Sequence, residues 1–242
     1  MDQQLRKLNR SLNALNRSNR ALLRATDEVG LLEQICRIVI EDCGYAMAWI
    51  GFAENNETKA VRPAACAGFE DGYLQNLRIT WADAEGEHGS TGTAIRTGKP
   101  SLCRSIRTDL KHTPWREEAI KRGYASSLSV PLIAEGKPFG AITIYSAEFD
   151  AFSEDEIHLL AELADNLSYG INALRLRRAH ERRPDGDVRR SMAGKAGSRD
   201  RRAALGAGRK KSGDGCARAC SQAYEYDEAD AQKQCTAHGL FF

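Results

Sequence analysis

Hydrophobic and polar positions at the start of the chain repeat with a period of seven. Two positions of each heptad form a narrow stripe on one side of a predicted helix: Leu5, Leu8, Leu12, Leu15, Asn19 and Leu22. A narrow apolar stripe with a single asparagine is typical of a parallel dimeric coiled coil. The pattern predicts a coiled-coil helix over residues 1–26, with these six residues as its dimer seam. The alternative is an amphipathic helix that packs on its own domain.

Helix and strand signals alternate between residues 27 and 67. Thr26 and Asp27 can cap a second helix, whose apolar side chains follow at spacings of three and four. Gly44 ends that helix, because glycine is favoured just past a helix C-terminus. Residues 45–53 then predict a buried strand, and residues 60–67 its hairpin partner. Pro63 lacks the backbone N–H that a central strand needs, so the second strand is expected at the edge of a sheet.

A second hairpin follows after a stretch with weaker signals. Residues 68–92 predict only a short helix and loops, residues 101–106 a short strand, and residues 114–123 a helix. Two β-rich runs, residues 126–133 and 139–145, flank a turn that contains Gly136, which predicts a β-hairpin. Ser153 and Glu156 form a capping box that opens a last helix, running to about His180.

The order of these elements predicts an α+β fold. Mostly antiparallel strands with helices at both ends favour a central antiparallel sheet with the terminal helices packed on one face. The predicted organisation is the coiled-coil helix over residues 1–26, one domain over residues 27–178, and a low-complexity basic tail over residues 179–242.

Composition narrows the class of protein. The net charge is +2, and no apolar run approaches the roughly 20 residues that span a bilayer. The polar N-terminus lacks the apolar region of a secretory signal peptide. Seven cysteines without a framework spacing fit a reducing compartment better than a disulfide scaffold. We therefore expect a cytoplasmic protein without a membrane span.

The tail differs in composition from the rest of the chain. Residues 182–218 contain twelve lysines and arginines against four aspartates, and only three large aliphatic side chains. So little apolar surface cannot offset the entropy of ordering, which predicts disorder. The favoured interpretation is a frame error or truncation, because the helical pattern dissolves abruptly into Arg-Gly-Ala-rich sequence. The alternatives are a genuine basic tail that binds nucleic acid or a membrane surface, and a zinc site with the ligands Cys216, Cys220, Cys235 and His238.

Several short motifs, in their order and spacing, resemble a GAF domain over residues 27 to about 178. They are Gly92-Thr93-Ala94, Thr97-Gly98-Lys99-Pro100, Ser127-Leu128 with Val130-Pro131-Leu132, Phe139-Gly140-Ala141-Ile142, and Phe152 with Glu154 and Glu156. Residues 114–127 are similar to GAF domains of bacterial sensory proteins with histidine kinase or diguanylate cyclase output domains. The resemblance implies a small-molecule pocket on the side of the sheet away from the terminal helices. It also implies a signalling role whose output domain is absent from this chain.

Three activities of the GAF family can be compared with these residues. The Asn-Lys-x-Phe-Asp-Glu signature of cyclic-nucleotide binding is absent. Bilin attachment needs a cysteine near residues 111–115, where this chain has none, so no bilin cofactor is expected. The thiols of GAF-type methionine sulfoxide reductases correspond to positions near Ser90 and Gly123, which carry no cysteine either. A non-catalytic module is therefore expected. The alternatives are a thiol reductase that uses Cys66 or Cys103, and a purely structural dimerisation module.

The candidate pocket residues are aromatic, polar or basic side chains expected on the side of the sheet away from the terminal helices. They are Trp49, Trp81, Cys103, Arg104, Trp115, Tyr124, Ser127 and Tyr145. Aromatic rings offer rigid apolar surface with a polar group, and Arg104 could pair with an anion. The alternative is that Trp49 and Tyr145 are core residues and that Arg104 is solvated. No catalytic residue or metal ligand is predicted. The expected partners are a second copy of the chain, bound through the N- and C-terminal helices, and an unidentified small molecule; no specific nucleic acid is expected.

Overall fold

Helices and strands alternate much as the hydrophobic pattern predicts. The computed structural model describes residues 2–69, 72–76, 79–82, 89–109 and 115–181. The helices are α1 (Asp2–Arg24), α2 (Glu28–Cys43), α3 (Tyr73–Asn76), α4 (Ser90–Thr97), α5 (Arg116–Lys121) and α6 (Glu154–Glu181). The strands are β1 (Met47–Ala53), β2 (Val61–Gly68), β3 (Ser101–Cys103), β4 (Ser126–Ala134) and β5 (Lys137–Ser146).

Local capping sets the ends of the long helices, as predicted. Oδ1 of Asp27 accepts a hydrogen bond from the N–H of Gly30 at 2.8 Å, which opens α2. Gly44 closes α2 in the left-handed conformation, with φ of 75°. Helix α6 begins with the capping box: the carboxylate of Glu156 accepts from the N–H and the hydroxyl of Ser153, and Ser153 Oγ accepts from the N–H of Glu156. These contacts depend on neighbouring residues alone, so the sequence pattern could locate them.

The strands form an antiparallel sheet in the order β2-β1-β5-β4-β3. Glu135 and Gly136 join β4 to β5 with positive φ angles of 52° and 74°, as a type I′ turn requires. Strand β2, which contains Pro63, lies at an edge of the sheet as predicted. Strand β3 ends at Cys103, three residues earlier than predicted. The N–H of Ile106 donates to the carbonyl of Ala125 rather than to a residue of β4.

Helices α2 and α6 cover one face of the sheet, and α1 packs on both of them, so that the three helices enclose the larger hydrophobic core. Alternate residues of the central strands point into it: Ala48, Ile50, Leu128, Val130, Ile142 and Ile144. The terminal helices therefore lie together on one side, and the other face of the sheet is left for α4 and the loops around it. This arrangement is the predicted α+β architecture.

The predicted dimer seam does not lie on a single exposed face of α1. Leu15 is buried in the core with α2 and α6, and Leu22 packs against the same core, whereas Leu5 and Leu12 are 64% and 44% exposed. Most of the buried face of α1 consists of small side chains: Ser11, Ala14, Ser18 and Ala21. A count of large apolar residues missed this face because serine and alanine do not stand out in a heptad pattern. Within this chain, α1 is therefore an amphipathic helix that packs on its own domain.

Two further predictions concern the C-terminal tail and membrane-spanning helices. Residues 182–242, with the candidate zinc ligands and each interpretation of the tail, lie outside the described residues. No helix in the described part of the chain is both long and apolar enough to cross a membrane.

Candidate functional site

The face of the sheet that points away from α1, α2 and α6 carries two rows of cross-strand neighbours. From β1 across β5 and β4 to β3, the first row is Met47, Tyr145, Ser127 and Cys103, and the second row is Trp49, Thr143, Ser129 and Ser101. Side chains alternate along a strand, so these residues share one face while their neighbours fill the helical core. Aromatic, hydroxyl and thiol groups are thus brought together on this face.

Helix α4 lies over this face and meets it through a chain of buried hydroxyl groups. Ser129 Oγ donates to Ser90 Oγ at 2.9 Å and lies 2.9 Å from Oγ1 of Thr143. The Thr143 hydroxyl in turn lies 2.9 Å from Oγ1 of Thr91, and Ser127 Oγ lies 3.4 Å from Ser90 Oγ. Each hydroxyl can donate one hydrogen bond and accept two, so the chain can reverse its direction of donation when a new polar group arrives.

Three tyrosine rings fill the space beside the hydroxyl chain. Tyr124 and Tyr145 are stacked with their centroids 4.8 Å apart, and Tyr73 meets them edge-on at 5.5 and 5.7 Å. Burial raises the pKa of Tyr73 to about 12 and raises the pKa of Tyr145 well above its ordinary value, because a buried phenolate loses its hydration. The phenols of Tyr73 and Tyr145 therefore stay neutral at physiological pH.

Two polar atoms on this face are buried without a hydrogen bond of ordinary geometry among the described residues, although both interact with the hydroxyl of Tyr145. They are Nε1 of Trp49 and Oη of Tyr73, on side chains that are 0% and 1% exposed. The indole of Trp49 lies across Gly51, where a Cβ atom would stand 2.5 Å from its Cζ3. An unpaired buried donor costs about 1–3 kcal/mol. Both atoms therefore offer a hydrogen bond to a group that enters the site.

Replacing Tyr73 with phenylalanine is expected to leave the free energy of unfolding of the ligand-free protein unchanged or to raise it. The variant keeps the ring and removes a hydroxyl whose approach to Tyr145 falls short of an ordinary hydrogen bond. Tyr124→Phe is the matched control, since the Tyr124 hydroxyl donates to the carbonyl of Phe69. The free energy of unfolding of that control, measured by urea denaturation, should fall by about 1 kcal/mol. Equal losses in both variants would show that the Tyr73 hydroxyl is already bonded in the free protein.

Most of the predicted pocket residues meet at this face. Five of them are buried there, each with an exposed fraction of 4% or less: Trp49, Cys103, Tyr124, Ser127 and Tyr145. Their burial also agrees with the alternative that Trp49 and Tyr145 are core residues. Both belong to a second hydrophobic cluster, which lies under the candidate site; their contact with a ligand stays a prediction.

Two predicted residues lie at the rim of this face. Nε1 of Trp81 donates to the carbonyl of Glu54 at 3.0 Å, and Lys59 Nζ lies 4.5 Å from the Trp81 ring centroid. Trp81 therefore holds its segment against the β1–β2 turn. Trp115 packs on Gly89 beside the start of α4, where a Cβ atom would stand 2.6 Å from Cζ3 of the indole.

Arg104 lies apart from the candidate site. It follows Cys103, the last residue of β3, where the chain leaves the sheet. Its guanidinium pairs with Asp150 at 2.5 Å and is 61% exposed. It lines a separate open cleft of about 620 Å³, together with Lys7 and Glu154. Arg104 therefore lies outside the candidate site, and its pairing with an anionic ligand stays a prediction.

The structure adds five residues that sequence reasoning missed: Tyr73, Ser90, Thr91, Ser129 and Thr143. The last two alternate with Ser127 and Tyr145 along the hairpin, so their shared face could have been read from a period of two. Tyr73, Ser90 and Thr91 come from short helices far along the chain. No local pattern ties them to the sheet.

Three of the four described cysteines, Cys36, Cys43 and Cys103, are not arranged as reactive thiols. Cys103, which lies on the candidate site, is 1% exposed, and burial raises its pKa to about 12. Burial likewise raises the pKa of Cys36, and raises that of Cys43 to about 12. Cys66 is exposed on the edge strand β2. A nucleophilic thiol needs a lowered pKa, the opposite of what the buried cysteines have.

Comparison with known proteins places this geometry in context. A family model described as GAF domain matches residues 25–172. No curated protein matches the chain. A likeness to solved structures below 25% identity indicates a shared fold and does not carry an activity with it.

Three solved structures are similar to this chain. The free methionine-R-sulfoxide reductase of Neisseria meningitidis, in complex with its substrate, is 20% identical with a TM-score of 0.58, over 69% of this chain and 90% of that one. The GAF domain of a phosphoenolpyruvate-protein phosphotransferase from Coxiella burnetii is 16% identical with a TM-score of 0.56, over 71% and 98%. The nlh2 GAF domain of A. aeolicus in an inactive state is 15% identical with a TM-score of 0.54, over 69% and 99%.

Proposed function

The chain belongs to the GAF domain family, and on that premise we propose that it is a non-catalytic sensor module of a bacterial signalling protein. A small molecule binds on the face of the sheet away from the terminal helices, and its presence is passed to an output domain. The observation that carries the proposal is the pair of fully buried polar atoms at that face that lack a well-formed hydrogen bond, Nε1 of Trp49 and Oη of Tyr73. A bound molecule with hydrogen-bond acceptors satisfies both.

The strands provide a short mechanical route from the site to the terminal helices. Along β5, Thr143 and Tyr145 face the site, while Ile142 and Ile144 pack in the core with α1, α2 and α6. A ligand that favours one packing of Tyr145 therefore acts on a strand whose other side contacts the helices. The ligand shifts the helices only by the difference between its affinities for the two arrangements.

A thiol reductase is the competing function, since a structural neighbour is a free methionine-R-sulfoxide reductase. Cys103 is the thiol best placed for such a reaction, because it lies on the candidate site. Its raised pKa of about 12 leaves roughly one thiolate in 10⁴ at pH 8. The positions that carry the family's thiols hold Ser90 and Gly123 in this chain. The chemistry of the site therefore favours binding over catalysis.

The purified full chain is expected to carry one small-molecule compound at a molar ratio of about one molecule per chain. The protein is denatured and the released fraction is identified by mass spectrometry.

Trp49→Phe removes the unpaired indole N–H, so we expect roughly fivefold weaker binding of the identified compound by calorimetry. Trp81→Phe is the matched control: it loses the same N–H from an indole that bonds to Glu54, and its affinity should not change.

Two outcomes would overturn the proposed function. If nothing is released and no compound in a metabolite library raises Tm, the chain is a structural module with a closed site. If the parent protein turns over free methionine sulfoxide in an NADPH-coupled thioredoxin assay and Cys103→Ser abolishes that turnover, the chain is a reductase.

A further inference from the structure

The candidate site has an end that donates hydrogen bonds, formed by Trp49, Tyr73 and Tyr145. The indole N–H of Trp49 and the hydroxyl of Tyr73 both approach the hydroxyl of Tyr145, but neither makes a hydrogen bond of ordinary geometry. An indole nitrogen can only donate. The two phenols keep their protons at physiological pH, because burial raises the pKa of each. What this donating end lacks is therefore an acceptor.

The hydroxyl chain provides an accepting end, formed by Thr143 and Ser129, because its protons are already used within the chain. Ser129 donates its single proton to Ser90. In the contact between Ser129 and Thr143 the proton must then come from Thr143, and in the contact between Thr143 and Thr91 it must come from Thr91. A hydroxyl oxygen accepts two hydrogen bonds, so Thr143 and Ser129 each keep one lone pair for a further donor.

The donating end and the accepting end lie side by side on the sheet. Trp49 and Thr143 are direct cross-strand neighbours on β1 and β5, and Tyr145 lies two residues further along β5. Side chains two residues apart on a strand share a face, and the Cβ atoms of cross-strand neighbours are about 5 Å apart. A small polar group that enters between them therefore meets donors on one side and acceptors on the other.

Two charged side chains among the described residues border the site, and each already has a partner. The guanidinium of Arg122 lies 5.2 Å from the centroid of the Tyr73 ring, but it pairs with Glu118 at 2.8 Å. The carboxylate of Asp109 interacts with the thiol of Cys103. A charged ligand would lose its hydration here without gaining an ion partner from these residues, which is costly. The arrangement therefore favours an uncharged ligand.

We propose that the site takes an uncharged molecule with a carboxamide group, such as a primary amide or a lactam. A carbonyl oxygen has two lone pairs, which accept from Trp49 and Tyr73. The neighbouring N–H then donates to the oxygen of Thr143. An amide thus supplies an acceptor and a donor side by side without net charge. This inference rests on the proposed sensor function and adds the class of ligand to it.

Four small planar molecules of nearly equal size test the ligand class: acetamide, acetone, acetate and acetamidinium. They are in turn an uncharged donor and acceptor, an uncharged acceptor, an anion and a cation. The chain has three tryptophans, and the indole N–H resonance of Trp49 is identified in a proton–nitrogen correlation spectrum by its absence from Trp49→Phe. Acetamide should shift this resonance saturably. Acetone should bind roughly fivefold more weakly because it lacks the N–H, and the two ions should not shift the resonance.

Thr143→Val tests the accepting end, since valine keeps the shape of threonine and removes the hydroxyl. Acetamide should then bind no more tightly than acetone, whose own affinity should not change. Ser168→Ala is the matched control, because that hydroxyl is also buried but donates to the carbonyl of Ala164 within α6, on the other side of the sheet. The control should keep the roughly fivefold preference for acetamide.

Several results would show that the ligand class is wrong. They are a larger shift with acetate or acetamidinium than with acetamide, no shift with any of the four molecules, or a preference for acetamide that survives in Thr143→Val. The four molecules decide the class in the parent protein even if Thr143→Val does not fold.

The compound released from the full chain separates this inference from the sensor function. A released acid or amine without an amide group would overturn the ligand class and leave the sensor function standing. A chain that releases nothing and is stabilised by no library compound would contradict the sensor function itself, whatever the four small molecules do.

Discussion

Phe152→Ala is expected to lower the free energy of unfolding by about 3–5 kcal/mol, the usual cost of removing a large aromatic side chain from a core. Phe152 is 2% exposed, and its ring stacks on Tyr45 with the centroids 5.1 Å apart. It also precedes the capping box of Ser153 and Glu156, so it fixes the point where α6 enters the core. For a domain of this size the loss corresponds to a decrease in Tm of about 6–20 °C.

Phe149→Ala is the matched control for this prediction. The two phenylalanines are three residues apart, but Phe149 is 70% exposed. Its removal should change the free energy of unfolding by less than about 0.5 kcal/mol. Urea denaturation followed by circular dichroism at 222 nm measures both variants. Similar losses at the two positions would mean that α6 does not begin in the core as described.

Gly92→Ala is expected to destabilise the protein by about 2 kcal/mol or more, although alanine is the better helix former. A Cβ atom on Gly92 would stand 2.2 Å from the carbonyl oxygen of Thr80. A backbone atom cannot rotate away, so α4 or the segment of residues 79–82 has to move. Overpacking of this kind costs about 1–3 kcal/mol and sometimes more. Because α4 supplies Ser90 and Thr91, the hydroxyl chain over the sheet should be disturbed as well.

Gly170→Ala provides the contrast, because its obstacle is the end of a flexible side chain. The Cβ atom would stand 1.9 Å from Cδ2 of Leu22 but 3.4 Å from Cγ, so a change of rotamer at Leu22 relieves the collision. That cost is offset by a gain in helix propensity of about 1 kcal/mol. We expect a net change within about 1 kcal/mol by urea denaturation. If Gly92→Ala proves as mild as Gly170→Ala, the segment around Thr80 is not fixed against α4.

Much of the fold could be predicted because its signals are local. Asp27, Gly44 and the pair of Ser153 and Glu156 act on residues within four positions of themselves. The turn at Gly136 and the absence of a backbone N–H at Pro63 likewise restrict only the adjacent backbone. Each of these features therefore appeared in the structure at the predicted place. Helix α1 did not follow its pattern, because the choice between an intrachain and an interchain partner depends on distant helices.

The sequence predicted only those residues of the site that strand alternation places on the same face of the sheet. Trp49, Ser127 and Tyr145 share a face because they lie on paired strands, and the hairpin pattern already contains that information. Arg104 was included because it could pair with an anion, but it follows the end of β3 and pairs with Asp150 outside the candidate site. Tyr73 could not be found, because its contact with Tyr124 and Tyr145 joins segments that no repeat or motif connects.

The amino-acid sequence by itself determined the order of the elements of this protein, the capped ends of α2 and α6 and its family, since caps, turns and short motifs act over a few residues. Only the tertiary structure decided which chemistry those elements bring together. The hydroxyl chain from Thr91 to Ser127 and the unpaired atoms of Trp49 and Tyr73 arise when α3 and α4 close over the sheet. Likewise, only the tertiary structure showed that α1 uses Leu15 and Leu22 to pack within its own chain. Burial is a property of the whole packed chain, and it selects which residues remain available to a ligand or a partner.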